Sequence, residues 1–147
     1  MKTFARLPAE ERALYWRTFS EHKGVPEFIV EKDFWVCWLL NLCFTAAGIG
    51  PNCVFKGGTS LSKVFGAIDR FSEDIDLGLT PASLGWKEAD LDEAPSPTQR
   101  LKRVKKLQDD CIQAVQSRFL PELEAAVVAA LGPGPAEGGW LHFEVDA

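Results

Sequence analysis

Two stretches of sequence decide the fold: VFKGGTS at residues 54–60 and RFSEDIDL at residues 70–77. The first runs from apolar residues into two glycines and two hydroxyl residues, the pattern of a short buried strand that turns into a helix. The second alternates polar and apolar residues from Asp74 onward, which predicts another strand. We therefore expect a strand, a glycine turn with a short helix, and a second strand over residues 52–79.

Asp74 and Asp76 are the predicted metal ligands and catalytic residues. On a strand, residues two apart point to one face, so these carboxylates project together while Ile75 and Leu77 face the core. Two carboxylates held close repel each other, and a divalent cation relieves that repulsion. Ligand sets made only of oxygen suit Mg²⁺ or Mn²⁺ better than zinc.

The turn formed by Gly57, Gly58, Thr59 and Ser60 is a predicted phosphate site. Glycines let backbone N–H groups approach a phosphate, the following helix adds its positive end, and either hydroxyl can contact a phosphate oxygen. Each motif alone is weak, because Gly-Gly-Thr is usually a turn before a helix and Asp-x-Asp is usually a solvated strand edge. In this order, between apolar strands, they predict a triphosphate site beside a metal site, which nucleotidyl transfer requires.

The two motifs together resemble the signature of a known family. Lys56 to Lys63, followed by Arg70 to Leu77, is similar to the signature of AbiEii/AbiGii-type nucleotidyltransferase toxins, which belong to the polymerase-β-like nucleotidyltransferase superfamily. The preceding helix is also similar, at residues 30–36. The resemblance is strong over residues 26–80 and loose over residues 98–147.

The resemblance implies the toxin of a bacterial toxin–antitoxin or phage-defence system. Such a protein transfers a nucleotide from an NTP to an acceptor, here expected to be tRNA or another RNA, and has a cognate antitoxin as a further expected partner. Carried over residue by residue, the resemblance assigns the metal to Asp74 and Asp76, with Mg²⁺ (or Mn²⁺) as the ion. It assigns the nucleotide to Lys56, Gly57, Gly58, Thr59, Ser60 and Lys63.

The superfamily also uses a third carboxylate on a later strand. The candidates for it in this chain are Glu144 and Asp146, on a predicted terminal strand over residues 140–146. The polar outer face of an edge strand explains both acids better than a catalytic role does. The third carboxylate therefore stays open as Glu144, as Asp146, or as a residue missing from a chain that we expect to be truncated at its C-terminus.

The rest of the pattern predicts a single α/β (α+β) domain over residues 1–147, in which helices flank a small mixed sheet. The resemblance implies that its core is polymerase-β-like. N-terminal helices are predicted over residues 8–46 and an exposed loop over residues 80–98. A long helix is predicted over residues 98–131, restarted or kinked at Pro121.

The predicted long helix carries two features of different character. Its apolar residues, from Leu101 to Phe119, predict one buried stripe. Its start has five cations in seven residues, which predict either a solvated helix face or a contact with an RNA backbone. These cations are Arg100, Lys102, Arg103, Lys105 and Lys106.

Bulk composition excludes several classes of protein. The formal net charge of −5 argues against a general nucleic-acid binder. The N-terminus does not resemble a signal peptide and no apolar run is long enough for a membrane span, so we expect a cytoplasmic protein without membrane contact. The four cysteines have no metal-ligand spacing and are expected to be reduced and buried.

Two other functions stay open on the sequence alone. A glycosyltransferase could use Asp-x-Asp to bind a nucleotide-sugar through Mn²⁺, although that chemistry does not require the glycine turn. An inactive remnant could bind an NTP or a partner protein without turnover.

Overall fold

The computed structural model describes residues 1–45, 49–64, 66, 71, 74–87, 89–90 and 96–145. The first part comprises helices α1 (Lys2–Ala5), α2 (Ala9–Lys23) and α3 (Glu27–Thr45), then strand β1 (Cys53–Lys56), helix α4 (Gly57–Lys63) and strand β2 (Asp76–Leu79). The second part comprises helix α5 (Pro97–Ala114), a π-helical segment (Val115–Phe119) and helix α6 (Leu120–Leu131). Single 3-10 turns precede β1 and follow β2, at Gly50–Asn52 and Pro81–Leu84.

Helix α3 is the centre of the packing, because it is apolar on most of its circumference. Trp38 and Leu42 pack with Ala5 of α1 and Val127 of α6 in one core cluster. Cys43, near the end of α3, belongs to a second core cluster that reaches the strands. A helix buried on several sides holds the N-terminal helices, α6 and the strands in one arrangement.

Aromatic side chains fix α1 and α2 against α3. Phe4 makes edge-to-face contacts with Tyr15, Trp16 and Phe34, with ring centroids 4.9 to 5.3 Å apart. Such pairs add about 0.5–1.5 kcal/mol each beyond the burial of their area. Helix α2 ends at Gly24, whose φ of 66° closes the turn and whose N–H donates to the Ser20 carbonyl at 2.8 Å.

The strands β1 and β2 form a two-stranded antiparallel ribbon, in which Phe55 pairs with Leu77 and Lys56 with Asp76. One face of the ribbon packs into the second core cluster, which is built on Cys43, Ile49 and Phe119 and is contacted by Cys53, Leu77 and Leu79. The other face, with Lys56 and Asp76, is exposed. Period-two alternation therefore places the polar side chains on the solvent side.

The long helix passes through Pro121 without a break. Pro121 lacks an N–H and its ring would clash with the carbonyl one turn back. The π-helical segment ends two residues before it, and the N–H of Leu120 donates to the Val115 carbonyl, five residues back. The wider turn accommodates the proline and directs Phe119 into the core, where it is 5 % exposed.

Several sequence predictions need correction. The helix-rich structure with its small sheet is consistent with the α+β class, but the described sheet is antiparallel rather than mixed. The second strand begins at Asp76, so Asp74 lies before it. Residues 140–145 form no strand, and the Trp140 N–H instead donates to the Glu124 carboxylate at 2.8 Å. Asp146 lies outside the described residues.

The cysteines are less buried than the sequence predicted. All four thiols are free, but Cys43 alone is buried, while Cys37, Cys53 and Cys111 are half-buried. In the part of the chain that the structure describes, no helix combines the length and apolarity needed to cross a membrane.

Candidate functional site

The exposed face of the ribbon brings a lysine and a carboxylate together. Lys56 and Asp76 are direct partners in the antiparallel register, and both are exposed. Side chains of directly paired residues start about 4.5–5.5 Å apart at their Cβ atoms. The side chains of Lys56 and Asp76, which the sequence assigned to nucleotide and metal, therefore start next to each other at one end of the ribbon.

Gly57 continues from Lys56 and lies directly against Asp76. Its φ of +73° is a left-handed conformation that side-chain-bearing residues rarely adopt. A Cβ atom on residue 57 would lie 2.6 Å from the Cγ atom of Asp76, and closer still to its Oδ2. The absence of a side chain at Gly57 therefore allows the Asp76 carboxylate to sit against the backbone of the glycine turn.

Asp74 is held by a different residue of the same turn. The hydroxyl of Thr59 donates a hydrogen bond to the backbone carbonyl of Asp74. Thr59 is 0 % exposed, whereas Asp74 is exposed and Ile75 is half-buried. The predicted alternation of exposed acids and inward-facing apolar residues thus holds through Asp74, although its backbone lies outside the strand.

The hydroxyl groups predicted to bind phosphate donate within the chain. Ser60 is 5 % exposed, and its Oγ donates to the Gly57 carbonyl at 2.9 Å. Thr59 donates to Asp74, as described above. Helix α4 has only seven residues, so phosphate binding here would depend on local N–H groups more than on a helix dipole. A nucleotide-binding role for these hydroxyls stays a prediction.

The two predicted phosphate lysines have different surroundings. The side chain of Lys56 lies over Gly78, where a Cβ atom would be 3.1 Å from its Nζ. Lys63, at the end of α4, forms an ion pair with Asp33 of α3. No local pattern could have revealed this pair, because its members are 30 residues apart.

A divalent cation fits the exposed carboxylates only as part of a shared site. Among the residues with described positions, no group of three or more His, Cys, Asp or Glu side chains could hold a metal ion. Glu144 therefore does not complete a three-carboxylate group with Asp74 and Asp76. Mg²⁺ is commonly bound by one or two carboxylates together with substrate phosphates and water. The donor set of Asp74 and Asp76 suits a metal that arrives with a nucleotide.

Two of the five cations at the start of α5 hold a neighbouring loop. Arg103 donates to the Asp90 carbonyl, and Lys106 lies 5.7 Å from the ring centroid of Trp86. The Trp86 indole N–H donates to Asp110 at 2.9 Å. Arg100, Lys102 and Lys105 are exposed on the same helix. The predicted RNA-binding patch is thus partly a structural contact.

A family model described as "Nucleotidyl transferase AbiEii toxin, Type IV TA system" matches residues 38–144, more than half of the chain. The chain belongs to this AbiEii family. The match spans the glycine turn and both carboxylates, and it confirms the resemblance predicted from the two motifs. No curated protein and no solved structure matches the chain. Membership of the AbiEii family implies a nucleotide substrate and an antitoxin partner.

Proposed function

We propose that this AbiEii-family chain transfers a nucleotide from an NTP to an RNA acceptor, with Asp74 and Asp76 binding Mg²⁺ or Mn²⁺. One observation carries the proposal most directly: the carboxylate of Asp76 lies against the backbone of Gly57. A phosphate bound by the glycine turn would therefore share its metal with that carboxylate. The family match supports the reaction type.

The residues of the chain would bind and orient the nucleotide. The backbone at Gly57 and Gly58 can approach a phosphate closely because neither residue has a Cβ atom. Lys56, beside Asp76, would supply positive charge to the same phosphates. When bound, the metal would neutralise charge that develops on the triphosphate during transfer. The core of this site is proposed to be polymerase-β-like.

The acceptor is proposed to be tRNA or another RNA. Arg100, Lys102 and Lys105 are exposed on α5, and phosphate binding by such residues is independent of sequence. The net charge of −5 restricts any RNA contact to a local patch of this kind. Acceptor binding should therefore weaken steeply with salt.

The proposal is tested by calorimetric titration of each NTP with and without Mg²⁺. Asp76→Asn removes the charge of the carboxylate at nearly constant volume, and Asp109→Asn makes the same change at an exposed position on α5. We expect Mg²⁺ to tighten NTP binding, and we expect this gain to be lost in Asp76→Asn and kept in Asp109→Asn. Transfer of labelled nucleotide to tRNA then tests the reaction itself.

Three results would separate the alternatives. NTP binding that ignores both Mg²⁺ and the Asp76 substitution would contradict the proposed site. Mg²⁺-dependent binding without transfer to any RNA would favour the inactive NTP-binding remnant. Binding of nucleotide-sugars in preference to NTPs would favour the glycosyltransferase, for which the AbiEii family match gives no support.

A further inference from the structure

The glycine turn contacts both acidic residues of the proposed metal site, each through a different residue. Gly57 lies against the carboxylate of Asp76, and Thr59 donates its hydroxyl proton to the carbonyl of Asp74. We infer that Thr59 is a positioning residue for Asp74, and that it acts on the metal site rather than by binding the triphosphate. The inference rests on the proposed function.

The hydrogen bonding of Thr59 excludes the role that its place in the motif suggests. A threonine hydroxyl has one proton to donate, and a phosphate oxygen needs a donor. The Thr59 hydroxyl already donates this proton to the Asp74 carbonyl, and Thr59 is 0 % exposed. Binding a phosphate would require breaking a buried hydrogen bond and leaving a carbonyl without its donor, which is costly. Thr59 therefore suits a fixed structural contact.

Asp74 needs such a contact more than Asp76 does. Asp76 is fixed by its pairing with Lys56 in the ribbon and by its contact with Gly57. Asp74 precedes the strand, so the ladder of the ribbon does not hold its backbone. The bond from Thr59 spans 15 residues and ties this backbone to helix α4. This bond fixes the backbone position from which the Asp74 side chain extends, relative to Asp76.

Metal affinity depends on that relative position. Two carboxylates that must share a cation lose affinity when one of them is free to move, because ordering it then costs entropy on binding. Phosphate binding by the backbone of Gly57 and Gly58 does not depend on Asp74. The two alternative roles of Thr59 therefore predict different results. If Thr59 positions Asp74, its loss lowers the metal affinity, whereas if it contacts a phosphate, its loss lowers the nucleotide affinity.

The test measures Mn²⁺ affinity by electron paramagnetic resonance, both without nucleotide and with saturating NTP, and it measures NTP affinity in EDTA without metal. Thr59→Val keeps the shape of the side chain and removes the donor, and Thr59→Ser restores a hydroxyl. Thr18→Val makes the same threonine-to-valine substitution on α2, far from the site, where the threonine hydroxyl donates to the Leu14 carbonyl at 2.9 Å. We expect Thr59→Val to weaken Mn²⁺ binding on the order of tenfold, the equivalent of one hydrogen bond, and the other two variants to bind Mn²⁺ nearly as well as wild type. NTP affinity in EDTA should be equal in wild type and Thr59→Val.

A second measurement covers the case in which Thr59→Val does not fold. In the wild-type protein, the ¹³C-labelled backbone carbonyl of Asp74 should shift on adding Mg²⁺ and stay unchanged on adding NTP in EDTA, because Thr59 keeps its hydrogen bond to that carbonyl. A shift with metal-free NTP, or weaker metal-free NTP binding in Thr59→Val, would overturn the inference.

Two further outcomes separate this inference from the proposed function. Unchanged Mn²⁺ affinity in folded Thr59→Val, with loss of Mn²⁺ binding in Asp76→Asn, would overturn the role of Thr59 and leave the proposed function standing. A wild-type protein that binds no Mn²⁺, alone or with NTP, would remove the proposed function and the inference with it.

Discussion

The α-carbon of Gly57 faces the carboxylate of Asp76 with no room between them, since a Cβ atom on residue 57 would lie 2.6 Å from the Asp76 Cγ. Glycine is therefore required here for two reasons, its φ of +73° and the close approach of a charged side chain. A side chain at residue 57 would have to displace the exposed carboxylate of Asp76. The carboxylate that it displaces is the one proposed to bind the metal.

Gly57→Ala should therefore destabilise the fold and weaken metal binding together. The left-handed conformation alone costs about 1–2 kcal/mol for a residue with a Cβ atom. The displaced Asp76 should also lose most of its contribution to Mn²⁺ binding. Urea unfolding and Mn²⁺ titration of the same preparation measure the two effects.

The matched control for this substitution is Gly24→Ala. Gly24 has a similar φ of +66°, but a Cβ atom there meets nothing within 4 Å. It should show a similar backbone cost and unchanged Mn²⁺ affinity. Equal Mn²⁺ affinity in both variants would show that the contact between Gly57 and Asp76 has no role in metal binding.

The ion pair between Lys63 and Asp33 provides a test of the predicted phosphate lysine. The two side chains are 29 % and 38 % exposed, so breaking the pair should change stability by less than about 1 kcal/mol. Lys63→Gln should weaken NTP binding on the order of tenfold if the ammonium group contacts a phosphate. Asp33→Asn removes a competing anion and should leave NTP binding equal or tighter. Loss of NTP affinity in both variants would indicate that the pair supports α4 structurally.

The indole of Trp86 should contribute more to stability than that of Trp140. Trp86 donates to the carboxylate of Asp110 at 2.9 Å, whereas Trp140 donates to the neutral Gly132 carbonyl at 3.0 Å. Bonds to charged groups contribute about 1.5–3 kcal/mol and neutral bonds about 0.5–1.5 kcal/mol. Thermal unfolding of Trp86→Phe and Trp140→Phe compares them. The reverse order of stabilities would show that the loop before α5 is not held by this bond.

The stability of the protein should fall with pH above 9 because of Cys43. Burial, and secondly the neighbouring Cys53 thiol, raise the pKa of Cys43 from 9.0 to about 11. The unfolded chain ionises this thiol near pH 9 and the folded chain only near pH 11, so the stabilisation is complete below pH 9 and is lost as pH rises to 11. The loss amounts to about 2–3 kcal/mol at most.

Comparison with Cys43→Ala isolates this effect from other groups that ionise in the same range. Urea unfolding under reducing conditions at several pH values should give a shallower decline for the variant than for the wild type. Parallel curves would show that Cys43 ionises equally in the folded and unfolded states.

Local patterns were enough to predict the elements around the candidate site. The short helix at the glycines and the alternation of acids with Ile75 and Leu77 depend on near neighbours in sequence. The structure shows both, although the helix already begins at Gly57 rather than after the glycines. The family resemblance was confirmed for the same reason, since its motifs are short and contiguous. What these patterns could not supply was the set of long-range partners.

The errors occurred where a distant group decides the structure. Alternation over residues 140–146 predicted a strand, but the Trp140 N–H bonds to Glu124 of α6, so alternation alone did not provide a pairing edge. The predicted apolar stripe begins at Leu101, which is 76 % exposed, whereas Phe119 at its other end is 5 % exposed. Periodicity identifies an apolar face, but it does not identify what covers that face.

The register of the two strands decides which face of the ribbon carries Asp76. Sliding β2 by one residue against β1 would turn Asp76 into the cluster of Cys43, Ile49 and Phe119, and would expose Leu77 to water. Burying an unpaired carboxylate is strongly unfavourable, and so is exposing a large apolar side chain. The apolar residues that stabilise the ribbon thus also disfavour every slip by an odd number of residues, and the acid of the folded molecule lies on the solvent side.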